Sequence, residues 1–275
     1  MRACVIRAGR RGWKVGEYID TVFTRLLTPA LFLSRLPGLA SQCAVCRSWP
    51  ARQVCPPCVS RFAAPQSRCS LCALALPADL SMGLRTGHDV CASCAIQRPV
   101  LDGALAALPY AYPWSNLIAR YKFGEQPGWA GFFAALLLKT PGVQQAFADL
   151  TAQDWLLPMP LSAQRLQTRG FNQAWELASA LARQSQSRAQ ADATLLLRVK
   201  HGRPQSQLKR QARLANVRGA FLIDPLRLAE LQGRRVLLVD DVMTSGASMF
   251  AAAQALREAG AAHIAAVVLA RTAPA

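Results

Sequence analysis

From about Pro99 onward, apolar runs of strand length alternate with segments of helical spacing. GALAALPYAY (Gly103 to Tyr112) predicts a strand, SNLIARYKF (Ser115 to Phe123) a short helix, and GWAGFFAALLLK (Gly128 to Lys139) a second helix. DWLLPMP (Asp154 to Pro160) predicts a short buried strand ended by proline. NQAWELASALARQ (Asn172 to Gln184) places Trp175, Leu177, Ala178 and Leu181 at helical spacing, with Asn172 as N-cap. TLLLRVK (Thr194 to Lys200) predicts a strand, SQLKRQARLANV (Ser206 to Val217) a helix, and AFLID (Ala220 to Asp224) a short strand. RRVLLVDDV (Arg234 to Val242) predicts a buried strand and SGASMFAAAQALREAG (Ser245 to Gly260) a helix closed by Gly260. AHIAAVVLART (Ala262 to Thr272) completes the series with a last strand. This alternation predicts an α/β fold with a mostly parallel sheet, whose ligands sit outside the carboxyl ends of the strands.

Before Pro99 that rhythm is missing and cysteine takes its place. Cys4 stands alone; the other eight form C-x2-C pairs at Cys43/Cys46, Cys55/Cys58, Cys69/Cys72 and Cys91/Cys94. Two such pairs complete a tetrahedral Cys4 zinc site, so eight ligands predict two structural Zn2+ ions. A secreted disulfide framework lacks an export signal to support it, and a thioredoxin-type motif would occur once within a βαβ unit. Sequential pairing is favoured over an interleaved one. His88, three residues before Cys91, reads as a solvated loop residue and is a substitute ligand in the alternative. Metal replaces a core where apolar runs are short.

The expected organisation is a leader over residues 1–40, a double zinc ribbon over 41–98 and an α/β domain over 99–275. The basic start is not followed by an apolar stretch with a small-residue cleavage site. Tyr18 to Leu36 is broken by Asp20, Arg25 and Arg35 and reads as an amphipathic helix or a disordered leader, a membrane-surface helix being the alternative. No apolar run approaches the eighteen or so residues that span a bilayer, so a cytoplasmic protein without membrane insertion is expected.

The formal charge is +17, and Lys supplies only five of the 32 basic residues. Two zinc ions on eight thiolates would remove about four positive charges. The remainder still favours polyanionic partners, and arginine suits bidentate phosphate contacts.

One stretch carries chemistry. VLLVDDVMTSGASM (Val236 to Met249) runs a buried strand into Asp240 and Asp241, then into Thr244-Ser245-Gly246-Ala247-Ser248 at a helix start. Neither G-x-x-x-x-G-K-[ST] nor G-x-G-x-x-G is present. Free backbone N–H groups at the helix start favour a monophosphate, and Gly246 lets the backbone come close. The two carboxylates can accept hydrogen bonds from a pair of sugar hydroxyls, directly or through Mg2+. A 5-phosphoribosyl group offers both features. The plain alternative is an acidic strand end with a Thr or Ser N-cap.

This stretch resembles the phosphoribosyl pyrophosphate (PRPP) motif of type I phosphoribosyltransferases. Together with RYKFGE (Arg120 to Glu125), PLSAQRLQTRGFNQA (Pro160 to Ala174), QSQLKRQARLANVRGAF (Gln205 to Phe221) and the paired cysteines, the chain from about Gln42 resembles the ComF family of competence proteins. The resemblance implies a type I phosphoribosyltransferase-like sheet flanked by helices, with PRPP and Mg2+ as ligands. It assigns the ribose hydroxyls to Asp240 and Asp241, and the 5′-phosphate to Thr244, Ser245, Gly246, Ala247 and Ser248. Arg165 and Arg169 would lie near a pyrophosphate loop. Gln205 to Arg218 would form a mobile loop offering Lys209, Arg210 and Arg213 to the diphosphate, Arg213 joining the two aspartates in catalysis. Lys122 matches a Tyr-Lys element of unassigned role. Where the motif often has two threonines this chain has Thr244-Ser245, which keeps the hydroxyl.

Three functions are compatible with this reading. The first is a glycosyltransferase moving the phosphoribosyl group to an acceptor that no motif names. The second is a non-catalytic module handling single-stranded DNA during DNA uptake, with Trp49, Trp114 and Tyr121 beside basic residues as stacking platforms, the favoured alternative being that these aromatics are core residues. The third is a zinc-ribbon scaffold for a helicase or another competence protein.

Overall fold

A computed structural model describes residues 41–77, 89–124, 126–199 and 219–273. The expected leader, His88 and the loop bearing Lys209, Arg210 and Arg213 lie outside the described residues.

The centre of the fold is a five-stranded parallel sheet. Its strands are β1 (Gly103–Pro109), β2 (Trp155–Pro158), β3 (Gln190–Ala191), β6 (Arg235–Met243) and β7 (His263–Arg271), in the order β1-β7-β6-β2-β3. Two short antiparallel strands, β4 (Leu196–Arg198) and β5 (Phe221–Ile223), form a separate ribbon. The helices of the larger region are α3 (Trp114–Phe123), α4 (Trp129–Leu138), α5 (Val143–Ala148), α6 (Ala163–Arg169), α7 (Gln173–Ser185) and α8 (Ala247–Glu258). Two more, α1 (Pro56–Phe62) and α2 (Ala92–Ile96), belong to the cysteine region. Among the described residues, no helix is long and apolar enough to cross a membrane.

The apolar runs become central strands because both faces of the sheet are covered. Along β6, Val236 and Leu238 enter one hydrophobic cluster with Ala252, Ala253 and Leu256 of α8. Leu237 and Val239 enter the other, with Trp114 of α3, Phe133 of α4 and Leu177 of α7. Two-sided burial is why these strands read as unbroken apolar stretches. Each fully buried leucine contributes roughly 1.5–3 kcal/mol. Asn172 caps α7 as expected: its side-chain oxygen accepts from the Ala174 amide at 3.0 Å.

The cysteine region is packed against this sheet. Cys43, Cys55 and Cys58 share the cluster of Trp114 and Phe133, whereas Cys69, Cys72, Cys91 and Cys94 share the α8 cluster. The two cysteine groups therefore lie against opposite faces of one sheet.

Candidate functional site

The structure brings Cys43, Cys46, Cys55 and Cys58 into one group and Cys69, Cys72, Cys91 and Cys94 into another, all ligand atoms of a group lying within 4.8 Å of one another. This is the sequential grouping. Sulfur separations of 3.6 Å for Cys46–Cys55 and 3.7 Å for Cys72–Cys91 rule out disulfides there. They fit the edge of a tetrahedron with metal–sulfur bonds of about 2.3 Å, whose sulfurs stand roughly 3.8 Å apart. The groups share a plan. In each, the first pair closes a tight turn followed by a left-handed residue, Arg47 (φ 66) or Ala73 (φ 57). The second pair sits on the first turn of a short helix, Cys55 or Cys91 at its N-cap and Cys58 or Cys94 within it. Burial pushes the Cys58 thiol up to about 12 and the Cys72 thiol up to about 11. At Cys43 burial also acts upward, but backbone N–H donors, among them Val45 at 3.4 Å and Cys55 at 3.3 Å, outweigh it and bring the thiol to about 6. Such donors are what a metal-bound thiolate needs. The two groups can hold Zn2+.

The second site lies where the carboxyl end of β6 meets α8. Asp240 and Asp241 end the buried run, and each carboxylate accepts from the following amide at 2.8 Å. Asp241 is 2 % exposed and pairs with Lys122, 2.9 Å away. Tyr121 explains how Lys122 comes to be there. Its ring is buried against Phe133 and its hydroxyl donates to the Gln173 carbonyl at 2.6 Å, fixing the last turn of α3 against α7. Asp240 has no ion pair among the described residues. Burial, and then the charge of Asp241, raise its pKa well above the usual carboxylate value, while Lys122 pulls it down. Part of its surface stays open to the adjoining cavity.

Gly246 opens α8 with φ 81, and a Cβ there would stand 2.7 Å from Met243 and Phe250. Only glycine fits that turn without strain. The Ala247 amide donates to Ser245 Oγ at 3.4 Å.

A cavity of about 810 Å³ joins these parts. Asp240, Asp241, Thr244, Gly246, Ala247 and Ser248 line one side, and Arg165, Arg169, Lys122 and Arg198 approach from elsewhere. Ser245 is outside the lining. Arg165 and Arg169 stand one turn apart on α6, the helix that follows the short connection after β2. Ser162 caps this helix, accepting from the Arg165 amide at 3.4 Å. The Arg169 guanidinium donates to Gln173 at 2.8 Å and lies 4.7 Å from the Phe123 ring centre. Arg198 and Gln173 were not singled out from the sequence. For Arg198 the available signal was a lone arginine in the apolar run TLLLRVK. Trp114 and Tyr121 are both 0 % exposed, so for these two the core reading holds and the stacking role does not. Trp49 is exposed, as are Tyr112 and Phe123.

Residues 167–274 match the phosphoribosyl transferase domain family model. The chain is 30% identical over 210 residues to the DNA utilization protein YhgH of Salmonella typhi, covering 74% of this chain and 90% of that protein. The chain belongs to the ComF family. Similarity to other ComF proteins is consistent with this. It is 32% identical over 170 residues to competence protein F of Haemophilus influenzae, covering 62% of this chain and 73% of that protein. Against competence protein ComFC of Bacillus subtilis the identity is 28% over 179 residues, covering 63% and 68% of the two chains. This ComF chain thus combines a phosphoribosyltransferase-like α/β fold with two Cys4 groups.

Proposed function

We propose that the cavity at the end of β6 binds PRPP with Mg2+. One observation carries the reading: a carboxylate pair, the N-terminus of α8 and four cationic side chains converge on a single cavity. In this arrangement the amides of Gly246 to Ser248 hold the 5′-phosphate, favoured by the helix dipole. Asp240, which has no ion pair among the described residues, accepts from a ribose hydroxyl. Asp241, held by Lys122, sets the position of its neighbour. Arg165, Arg169 and Arg198 face the diphosphate. Asp240 and Asp241 also supply the oxygen donors that Mg2+ prefers, and the ion would neutralise charge on the leaving group. In a transfer reaction the bond from ribose C1 to the diphosphate oxygen breaks as an acceptor bonds to C1, and the cations stabilise the departing diphosphate.

Calorimetric titration of PRPP and Mg2+ into zinc-loaded protein tests this. Saturable binding is expected, and it should disappear in the Asp240→Asn, Asp241→Asn double variant while zinc content stays at two per chain. Absence of binding by the unaltered protein would refute the proposal.

A second reading, single-stranded DNA handling in competence, is favoured by exposed aromatics. Trp49 is 63 % exposed and stands between Arg47 and Arg52, and Phe123 is 70 % exposed at the cavity rim. An oligonucleotide held there should dissociate steeply with added salt, and Trp49→Ala should weaken it about tenfold. A flat salt response would exclude this reading.

A further inference from the structure

Arg271, the last residue of β7, is 7 % exposed and its guanidinium is shared between two places. Nε donates to the Cys72 carbonyl at 2.9 Å, inside the second cysteine group. Nη1 donates to the Met243 carbonyl at 3.1 Å and to the Thr244 carbonyl, at the start of the turn that leads into α8. Main-chain pairing supports the same junction: Arg271 lies opposite both Met243 and Pro109, and the Thr272 amide donates to the Met243 carbonyl at 3.2 Å. The charges also match. Arg271 is buried beside the second cysteine group. Arg68 donates to the Ala73 carbonyl at 3.1 Å, within electrostatic reach of Arg271. A zinc ion on four thiolates carries a net charge of about −2, enough to balance both arginines.

We propose that Arg271 is a positioning residue that ties the second cysteine group to the turn at Thr244, so that an intact metal group sets the geometry in which the α8 amides meet a 5′-phosphate. This rests on the PRPP reading of the cavity. Arg271 itself is absent from the cavity lining and acts through the carbonyls it holds. The planar guanidinium matters because one ammonium cannot reach Cys72 and Met243 together.

The experiment compares unaltered protein with Arg271→Lys and Arg271→Met, measuring zinc content, amide exchange along the chain and PRPP affinity with Mg2+. The expected result is two zinc ions in all three proteins and faster exchange confined to the Met243–Ser248 segment. PRPP affinity should fall at least about tenfold in Arg271→Met and by an intermediate amount in Arg271→Lys. Unchanged exchange and affinity in both variants would overturn the inference. So would loss of zinc together with faster exchange throughout Arg271→Lys, which would make Arg271 a general structural residue. If the unaltered protein binds no PRPP, the proposed function fails. The exchange pattern then decides Arg271 alone: confined loosening supports the tie and uniform protection refutes it.

Discussion

Asp240 and Asp241 are neighbours in sequence with different surroundings, and that difference yields the first prediction. Asp241 has a cation at 2.9 Å, whereas Asp240 bears a raised pKa from burial and the adjacent charge. An acid whose folded-state pKa lies above its unfolded value holds its proton more tightly when folded. Ionising Asp240 therefore costs stability progressively from about pH 4, where the unfolded chain ionises, up to the raised folded value. Asp240→Asn should gain in thermal stability relative to the unaltered protein across that window, then hold a constant advantage, while losing PRPP binding. A stability difference that does not change with pH would refute this account. Lys122→Met should have the opposite effect, leaving the buried Asp241 charge without its counter-ion. A loss of about 2 kcal/mol is expected, measurable by denaturant unfolding. The acids and the glycine were legible in the sequence because a buried strand rarely ends in two adjacent carboxylates without a reason. The partners of Asp241 and Arg271 were not, because Lys122 and Cys72 reach them only through tertiary packing.

At the scale of elements, the sequence showed what repeated burial imprints on it. The central strands β6 and β7 and helices α4 and α7 each bury several residues, so their apolar spacing is plain. α6 buries none of its residues, and its helical character left no periodicity to read. Yet this helix carries Arg165 and Arg169 into the cavity. β3 is two residues long and exposed, below the length at which alternation means anything. The turn into α8 makes the sharpest prediction here. Gly246→Ala places a methyl carbon against Met243 and Phe250 at a φ of 81. It should lower stability by about 1–2 kcal/mol and abolish PRPP binding, both measurable on the same purified protein. An unaffected affinity would show that the turn tolerates a shift.

For the whole molecule, the cysteine groups matter through where they attach. Replacing Cys55 and Cys58 with serine should speed amide exchange in α3 and α4, and replacing Cys91 and Cys94 should do so in α8, because each group packs in a different hydrophobic cluster. Equal loosening of both faces in either variant would contradict that division. The spacing of the cysteines favoured these ligand sets over an interleaved arrangement, but nothing in it told which face of the sheet each would meet. Strand order has a further consequence, for the timing of folding on the ribosome. Gly103 of β1 pairs with Ala265 of β7, and β7 separates β1 from β6. The first strand of the sheet to be synthesised must therefore wait for the last one as its strand partner, with the cysteine groups on either side of it already made. Such long-range closure is slow and exposes strand edges meanwhile. A nascent chain arrested before His263 should remain protease-sensitive throughout the sheet even when supplied with zinc, and should become resistant once Arg271 has cleared the exit tunnel.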